Sequence, residues 1–304
     1  MNLNRFFAAL IKVFSILPLC VVQFFGLLIG FFLSVLPNSV EEITRLNINK
    51  SFPGLSIKQK KNLTRNSIMH TVITALEMPK IFMAAPDKVF SYIKHVYGME
   101  AAIKDFGSGS AVLFIGPHFG CWEAAGLQVS NNFPVHTLYT SPEFKAFDVL
   151  VEKSRSRSGA VMSEANTKGV MMMFRALKDK KCVAILADQV PSLKAGVYAP
   201  FFNIPSFTMS LVAKMYLKCD PKVYVTYGIR NGIGKGFDVH YIPLQKYIDM
   251  YQSESGFTME KKFIYAMNKC FESVILTAPA QYEWSYKKFK EQPRCMLDPY
   301  RKEQ

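Results

Sequence analysis

Four short apolar runs limit what this chain can fold into. AVLFIG (111–116), VHTLYT (135–140), CVAILA (182–187) and KVYVTYGI (222–229) are rich in β-branched and aromatic residues. AVLFIG is a continuous apolar run bounded by Gly, the pattern of a strand buried on both faces, and the other three are similar. Between and around them, 142–157, 166–180 and 206–219 read as helices. Alternating β and α elements predict an α/β fold, a mostly parallel sheet flanked by helices. Ligands bind such sheets beyond the carboxyl ends of the strands. His118 follows one such end, and Asp188–Gln189 follows another.

The segment before this pattern reads as helical. SVEEITRLNINKSF opens with Ser39 as N-cap and Glu42 three residues on, and a second capping spacing begins at Ser56. The rhythm changes at GSGS (107–110). The chain therefore divides into a membrane anchor at 1–38, a helical segment at 39–106 and an α/β domain at 107–304. The anchor rests on residues 13–36, which are 24 positions without a charge. About 20 such residues cross a bilayer core as a helix. Pro18, Gly26 and Gly30 can bend that helix, so an embedded hairpin is the alternative to a full crossing. The flanking charges, Arg5 and Lys12 before and Arg45 and Lys50 after, do not fix an orientation.

Composition narrows the partners. The chain of 304 residues carries 37 Lys+Arg against 23 Asp+Glu, a formal charge of +14. Such a balance suits an anionic partner: membrane headgroups, an acidic carrier protein or nucleic acid. The 25 phenylalanines lie mostly in apolar runs rather than interleaved with cations, which favours membrane over nucleic acid. The basic stretches LKDKK (177–181) and YKKFK (286–290) are either solvated faces or parts of a docking surface. The six cysteines are scattered without metal-ligand spacing and fit a reducing compartment.

The stretch FIGPHFGCWEAAG (114–126) carries the chemistry. His118 and Glu123 are five apart, about 140° around a regular helix, so within one helix they cannot meet. Pro117 and Gly120 break regularity, which allows the histidine on a turn and the glutamate in the first turn of the next helix. A carboxylate on one imidazole nitrogen fixes the tautomer and frees the other as a general base. No Gly-x-Ser-x-Gly elbow supplies a nucleophile, so the substrate itself brings the hydroxyl. The competing readings are a structural loop histidine and a metal site built from His118, Cys121 and Glu123. Asp188 reads either as a site residue or as a turn residue. Backbone amides near Gly116–Gly120 and an arginine are the candidate oxyanion donors.

GPHFGCWEAAG resembles the His-x-x-x-x-Asp/Glu motif of glycerolipid acyltransferases, in the form carried by the lipid A late acyltransferase family. NINKSFPGLS (47–56), ILADQV (185–190), GVYAPFFNIPSFTMS (196–210) and PAQYEWSYKKFKEQP (279–293) are similar to further blocks of that family, in the same order. The departures are Cys121 where Asn is usual, Val190–Pro191 in place of acidic and Gly residues, and Asn203 in place of Gly. The resemblance implies a glycerolipid-acyltransferase-like domain at the cytoplasmic face of the cell inner membrane. Its implied reaction moves an acyl chain from acyl carrier protein to a hydroxyl of a lipid A precursor or related glycolipid. It implies His118 as base, Glu123 as its orienter, and Asp188 and Gln189 lining the site. An arginine at Arg155 or Arg157 would bind substrate. No metal and no tightly bound cofactor are implied; the acyl carrier thioester is a donor substrate. Other acceptors within the same chemistry are lysophospholipids, aminolipids and other alcohols. A non-catalytic lipid-binding protein is the reading from a different class.

Overall fold

The computed structural model describes residues 11–139, 158–294 and 296–301. The helical expectation at 142–157, and with it Arg155 and Arg157, lies outside the described residues.

Strands β1 (Ile93–Tyr97), β2 (Val112–Gly116), β3 (Val135–Tyr139), β4 (Val161–Glu164), β5 (Cys182–Leu186), β8 (Lys222–Arg230) and β9 (Phe237–Pro243) form one sheet in the order β1-β9-β8-β2-β5-β3-β4. The five strands from β8 to β4 run parallel; β9 is antiparallel to β8, and β1 runs parallel to β9. Strands β6 (Gly196–Phe201) and β7 (Ile204–Met209) make a separate antiparallel hairpin. All four predicted strands are present. The start of the predicted helix at 206–219 is instead β7, and only Leu211–Cys219 is helical.

Alternation along the strands builds two cores. Leu113 and Ile115 of β2 face one side, packing with helices α7 (Thr167–Lys178), α8 (Leu211–Cys219) and α10 (Met259–Thr277). Val112 and Phe114 face the other, packing with α5 (Met99–Gly107) and α6 (Trp122–Asn132). The short helices α4 (Pro86–Phe90) and α9 (Gln245–Asp249) complete the set with three N-terminal helices: α1 (Leu19–Val35), α2 (Ser39–Ser51) and α3 (Ile57–Met83).

The expected capping box at Ser56 forms, with Ser56 and Gln59 bonding reciprocally. At α2 the cap is Asn38 rather than Ser39, with the Asn38 side chain accepting from the Glu41 N–H. The uncharged run is interrupted at Pro18: residues 11–16 are helical, and α1 starts at Leu19. Among the described residues no single helix is long and apolar enough to cross a membrane; α1 and α2 pass jointly, as a pair bent by 82°. One face of α1 lies on α3. A Cβ at Gly26 or Gly30 would sit 2.6 or 2.5 Å from the Cα atoms of Ile73 or Met69, so only glycine allows this approach. The other face leaves Phe24, Phe25, Leu28, Phe31 and Phe32 exposed.

Candidate active site

The site begins where β2 ends. After Pro117 the chain turns through Gly120, whose φ of +59° is left-handed. The Gly120 N–H donates to the Gln281 carbonyl at 2.9 Å, and the Cys121 N–H to the Gly228 carbonyl at 2.8 Å. These bonds fix the turn that presents His118 and starts α6 at Trp122. Cys121 occupies the N-cap without a side-chain cap bond. An asparagine there would cap the helix directly, so the backbone bond to Gly228 carries more of the positioning in this chain.

β5 runs beside β2, and its continuation delivers Asp188 to the histidine. His118 Nδ1 lies 2.7 Å from Asp188 Oδ1, and the His118 backbone N–H donates to Oδ2 at 2.9 Å. One carboxylate thus holds both the ring and the backbone of His118. Burial works against the charged imidazolium. The negative charge and hydrogen bond of Asp188, with smaller contributions from Glu283 and Glu123, outweigh it and raise the His118 pKa above its ordinary 6.5. Burial would likewise raise the Asp188 pKa, but His118 and Lys288 hold it below the usual carboxylate value. An ionised Asp188 can only accept, so Nδ1 carries the proton and Nε2 is the free basic nitrogen. Trp122 packs edge-on against the ring, centroids 5.1 Å apart. The Gln189 carboxamide reaches Nε2 at a long 3.5 Å.

Glu123 sits buried in the first turn of α6 and lines the same cavity as His118. Asp188 supplies a carboxylate at hydrogen-bond distance from the His118 ring, while Glu123, the orienter expected from the motif, acts on the same ring through a smaller electrostatic contribution. The backbone amides proposed as oxyanion donors include two that are already committed, His118 N–H to Asp188 and Gly120 N–H to Gln281.

The closing segment, expected only as a family block and a basic stretch, turns out to brace the site. The Glu283 N–H donates to the His118 carbonyl at 3.1 Å, and the Val190 N–H donates to the Tyr286 hydroxyl at 2.9 Å. Lys288 of YKKFK is buried, not solvated. Its ammonium donates to the Asp188 carbonyl at 2.5 Å and lies 5.0 Å from the Phe201 ring centroid. Burial pulls its pKa down to about 8, against the opposing effect of Asp188. Asn47 explains the NINKSFPGLS block, because its carboxamide donates to the carbonyls of Trp284 (2.7 Å) and Tyr286 (2.8 Å). LKDKK, by contrast, lies at the end of α7 and the start of β5, at the opposite end of the parallel strands from His118. The order of the blocks was the available signal; a run of lysines alone says nothing about burial.

A cavity of about 970 Å³ extends from His118 and Glu123 along α6, past Gly126 and Ser130, to Val135 and Ala160. Its walls are mostly aliphatic. Among the described residues no group of three or more His, Cys, Asp or Glu could hold a metal ion.

Residues 3–291 match the family model described as bacterial lipid A biosynthesis acyltransferase. The chain belongs to the bacterial lipid A biosynthesis acyltransferase family. Relatives within it include the lipid A biosynthesis palmitoleoyltransferase of Escherichia coli (strain K12), 23% identical over 279 residues, covering 91% of this chain and 87% of that protein. The lipid A biosynthesis lauroyltransferase of the same organism is 22% identical over 260 residues, covering 85% and 82%. Within this acyltransferase family the departure at Asn203 has a local explanation. Phe202 and Asn203 form the β6–β7 turn with φ of 50° and 62°, a left-handed geometry that Asn tolerates. Phe202, less suited to it, is held by the Phe52 and Trp284 rings at 5.2 and 5.6 Å.

Proposed function

We propose that this protein is a membrane-bound O-acyltransferase. It moves a fatty acyl chain from acyl carrier protein to a hydroxyl of a lipid A precursor or related glycolipid. The observation that carries the reading is the His118–Asp188 pair at one end of a largely apolar cavity. Its size falls within the range of about 300–1,000 Å³ usual for small-ligand sites. His118 Nε2 takes the proton of the acceptor hydroxyl while its oxygen attacks the thioester carbonyl carbon. The tetrahedral oxyanion then collapses, the C–S bond breaks, and the imidazolium returns its proton to the departing thiolate. Asp188 holds Nδ1 through the cycle. Glu123 adds a second negative charge that supports the imidazolium. The Gln189 carboxamide, beside Nε2, is the nearest oxyanion donor, and Arg155 or Arg157 binds the acceptor's phosphate. No metal or tightly bound cofactor takes part. The basic charge of the chain favours an acidic carrier protein as donor and an anionic membrane surface as workplace, at the cytoplasmic face of the inner membrane.

The test is acyl transfer by the purified protein to a lipid A precursor, with acyl carrier protein and coenzyme A thioesters compared as donors. His118→Ala is expected to lower kcat by about 10²–10⁴-fold. Undiminished transfer by that variant would refute the mechanism, and equal use of both thioesters would refute the donor assignment.

A further inference from the structure

We infer that α1 lies in the plane of the membrane, its phenylalanine face sunk into one leaflet and the chain on either side of it on the same side of the bilayer. This rests on the membrane reading above and specifies its geometry. Three observations carry it. The first is how α1 is held. Its inner face is seated on α3 at Gly26 and Gly30 without room for a Cβ. One turn before Gly26, buried Gln23 donates to Glu77 Oε1 at 2.6 Å and accepts the Gly234 N–H at 2.6 Å. Glu77 is itself clamped by Arg230 of β8 through two bonds, 2.8 Å from Nε and 2.5 Å from a terminal nitrogen. Peeling α1 away would strip the Gln23 carboxamide from the buried Glu77 carboxylate and leave the Gly234 N–H without its acceptor, so α1 does not peel away cheaply. If α1 crossed the hydrocarbon core, α3 and the β8–β9 hairpin would have to enter with it.

The second is length. Seventeen residues span about 26 Å, short of the roughly 30 Å core, with Pro18 ending the helix on one side and the 82° bend on the other. The third is the charge of the chain that follows the exposed face. Between Glu42 and Glu77 the chain carries Arg45, Lys50, Lys58, Lys60, Lys61 and Arg65 and no acidic residue. This basic run meets the apolar face where the Arg65 guanidinium sits 5.7 Å from the Phe31 ring centroid. An apolar helix face beside a band of cations is the complement of acyl chains beneath anionic headgroups.

The test uses the full chain with Cys20, Cys219 and Cys295 changed to serine and one reporter added, Lys12→Cys before α1 or Lys58→Cys after it. Both reporters are expected to react with an impermeant maleimide in sealed inverted inner-membrane vesicles, and neither in intact spheroplasts. Reporters labelled from opposite sides would overturn the in-plane geometry while leaving membrane association standing. Failure of the protein to float with phosphatidylethanolamine/phosphatidylglycerol vesicles would overturn both. Phe24→Ser combined with Phe32→Ser is expected to weaken flotation at least tenfold, with acyl transfer to detergent-dispersed acceptor unchanged. Unaltered flotation of that variant, or displacement of the wild-type protein from vesicles by an acidic carrier protein, would show that the face does not bind lipid.

Discussion

In the proposed mechanism the position of one proton at His118 decides the chemistry. With Asp188 ionised and accepting, the ring proton rests on Nδ1 and the basic lone pair points away from the carboxylate. The same contact raises the imidazole pKa, so the acidic limb of kcat/KM should fall above the ordinary imidazole value of 6.5. The sign follows from the base having to be neutral: activity is present above that pKa and lost as pH drops through it. Asp188→Asn removes the charge that raises the pKa and leaves burial, which lowers it. The variant's acidic limb should therefore move to lower pH while its plateau drops by about 10²–10⁴-fold. An unmoved limb in a pH–rate profile would mean that Asp188 is not the group felt by the base. Lys288 acts one step further out, fixing the Asp188 carbonyl and lending a positive charge to its carboxylate.

Two helices carry consequences of their own. On α1, Gly30→Leu would force side-chain atoms into the Met69 backbone; such overpacking costs about 1–3 kcal/mol and should lower the melting temperature by several degrees. On α6, a Cβ at Gly126 meets no described residue within 4 Å, so a side chain can begin there, and Gly126→Phe is expected to project into the cavity it shares with His118. Ser130 is one turn further along, about 6 Å. Gly126→Phe should thus shift acyl preference to shorter chains than Ser130→Phe does, measured by competition between carrier thioesters of graded length. Helix and strand patterns were legible where burial was uniform, as in β2, β5 and β8. They were not legible in β1, an edge strand with mostly polar exposure, or in β7, where Pro205 and Ser206 mask the strand. The strand-end positions of His118 and Asp188 could be read from the chain. Their contact could not, because β2 and β5 are neighbours only in the folded sheet.

Across the molecule, the buried cluster of Glu77, Arg230 and His70 joins the N-terminal helices to the sheet. Arg230 lies 3.0 Å from His70 Nδ1, and burial followed by the charge of Arg230 lowers the His70 pKa from 6.5 to about 4. The unfolded chain therefore binds this proton first as pH falls. Stability tied to neutral His70 is full above pH 6.5 and declines toward pH 4, by at most about 3 kcal/mol. Melting temperature followed from pH 7 to 4 should fall more steeply in the wild type than in His70→Gln; parallel curves would remove His70 from the account. The closing segment ties the molecule together in a different sense. The carbonyl of Gln281, the N–H of Glu283 and the ammonium of Lys288 all grip the loops that carry His118 and Asp188, yet they follow those loops by about a hundred residues or more. A chain emerging from the ribosome exposes its base long before it exposes the braces that hold the base in place. The turn that presents His118 and the loop that carries Asp188 therefore take their final geometry only once the closing segment has been made and has docked on them.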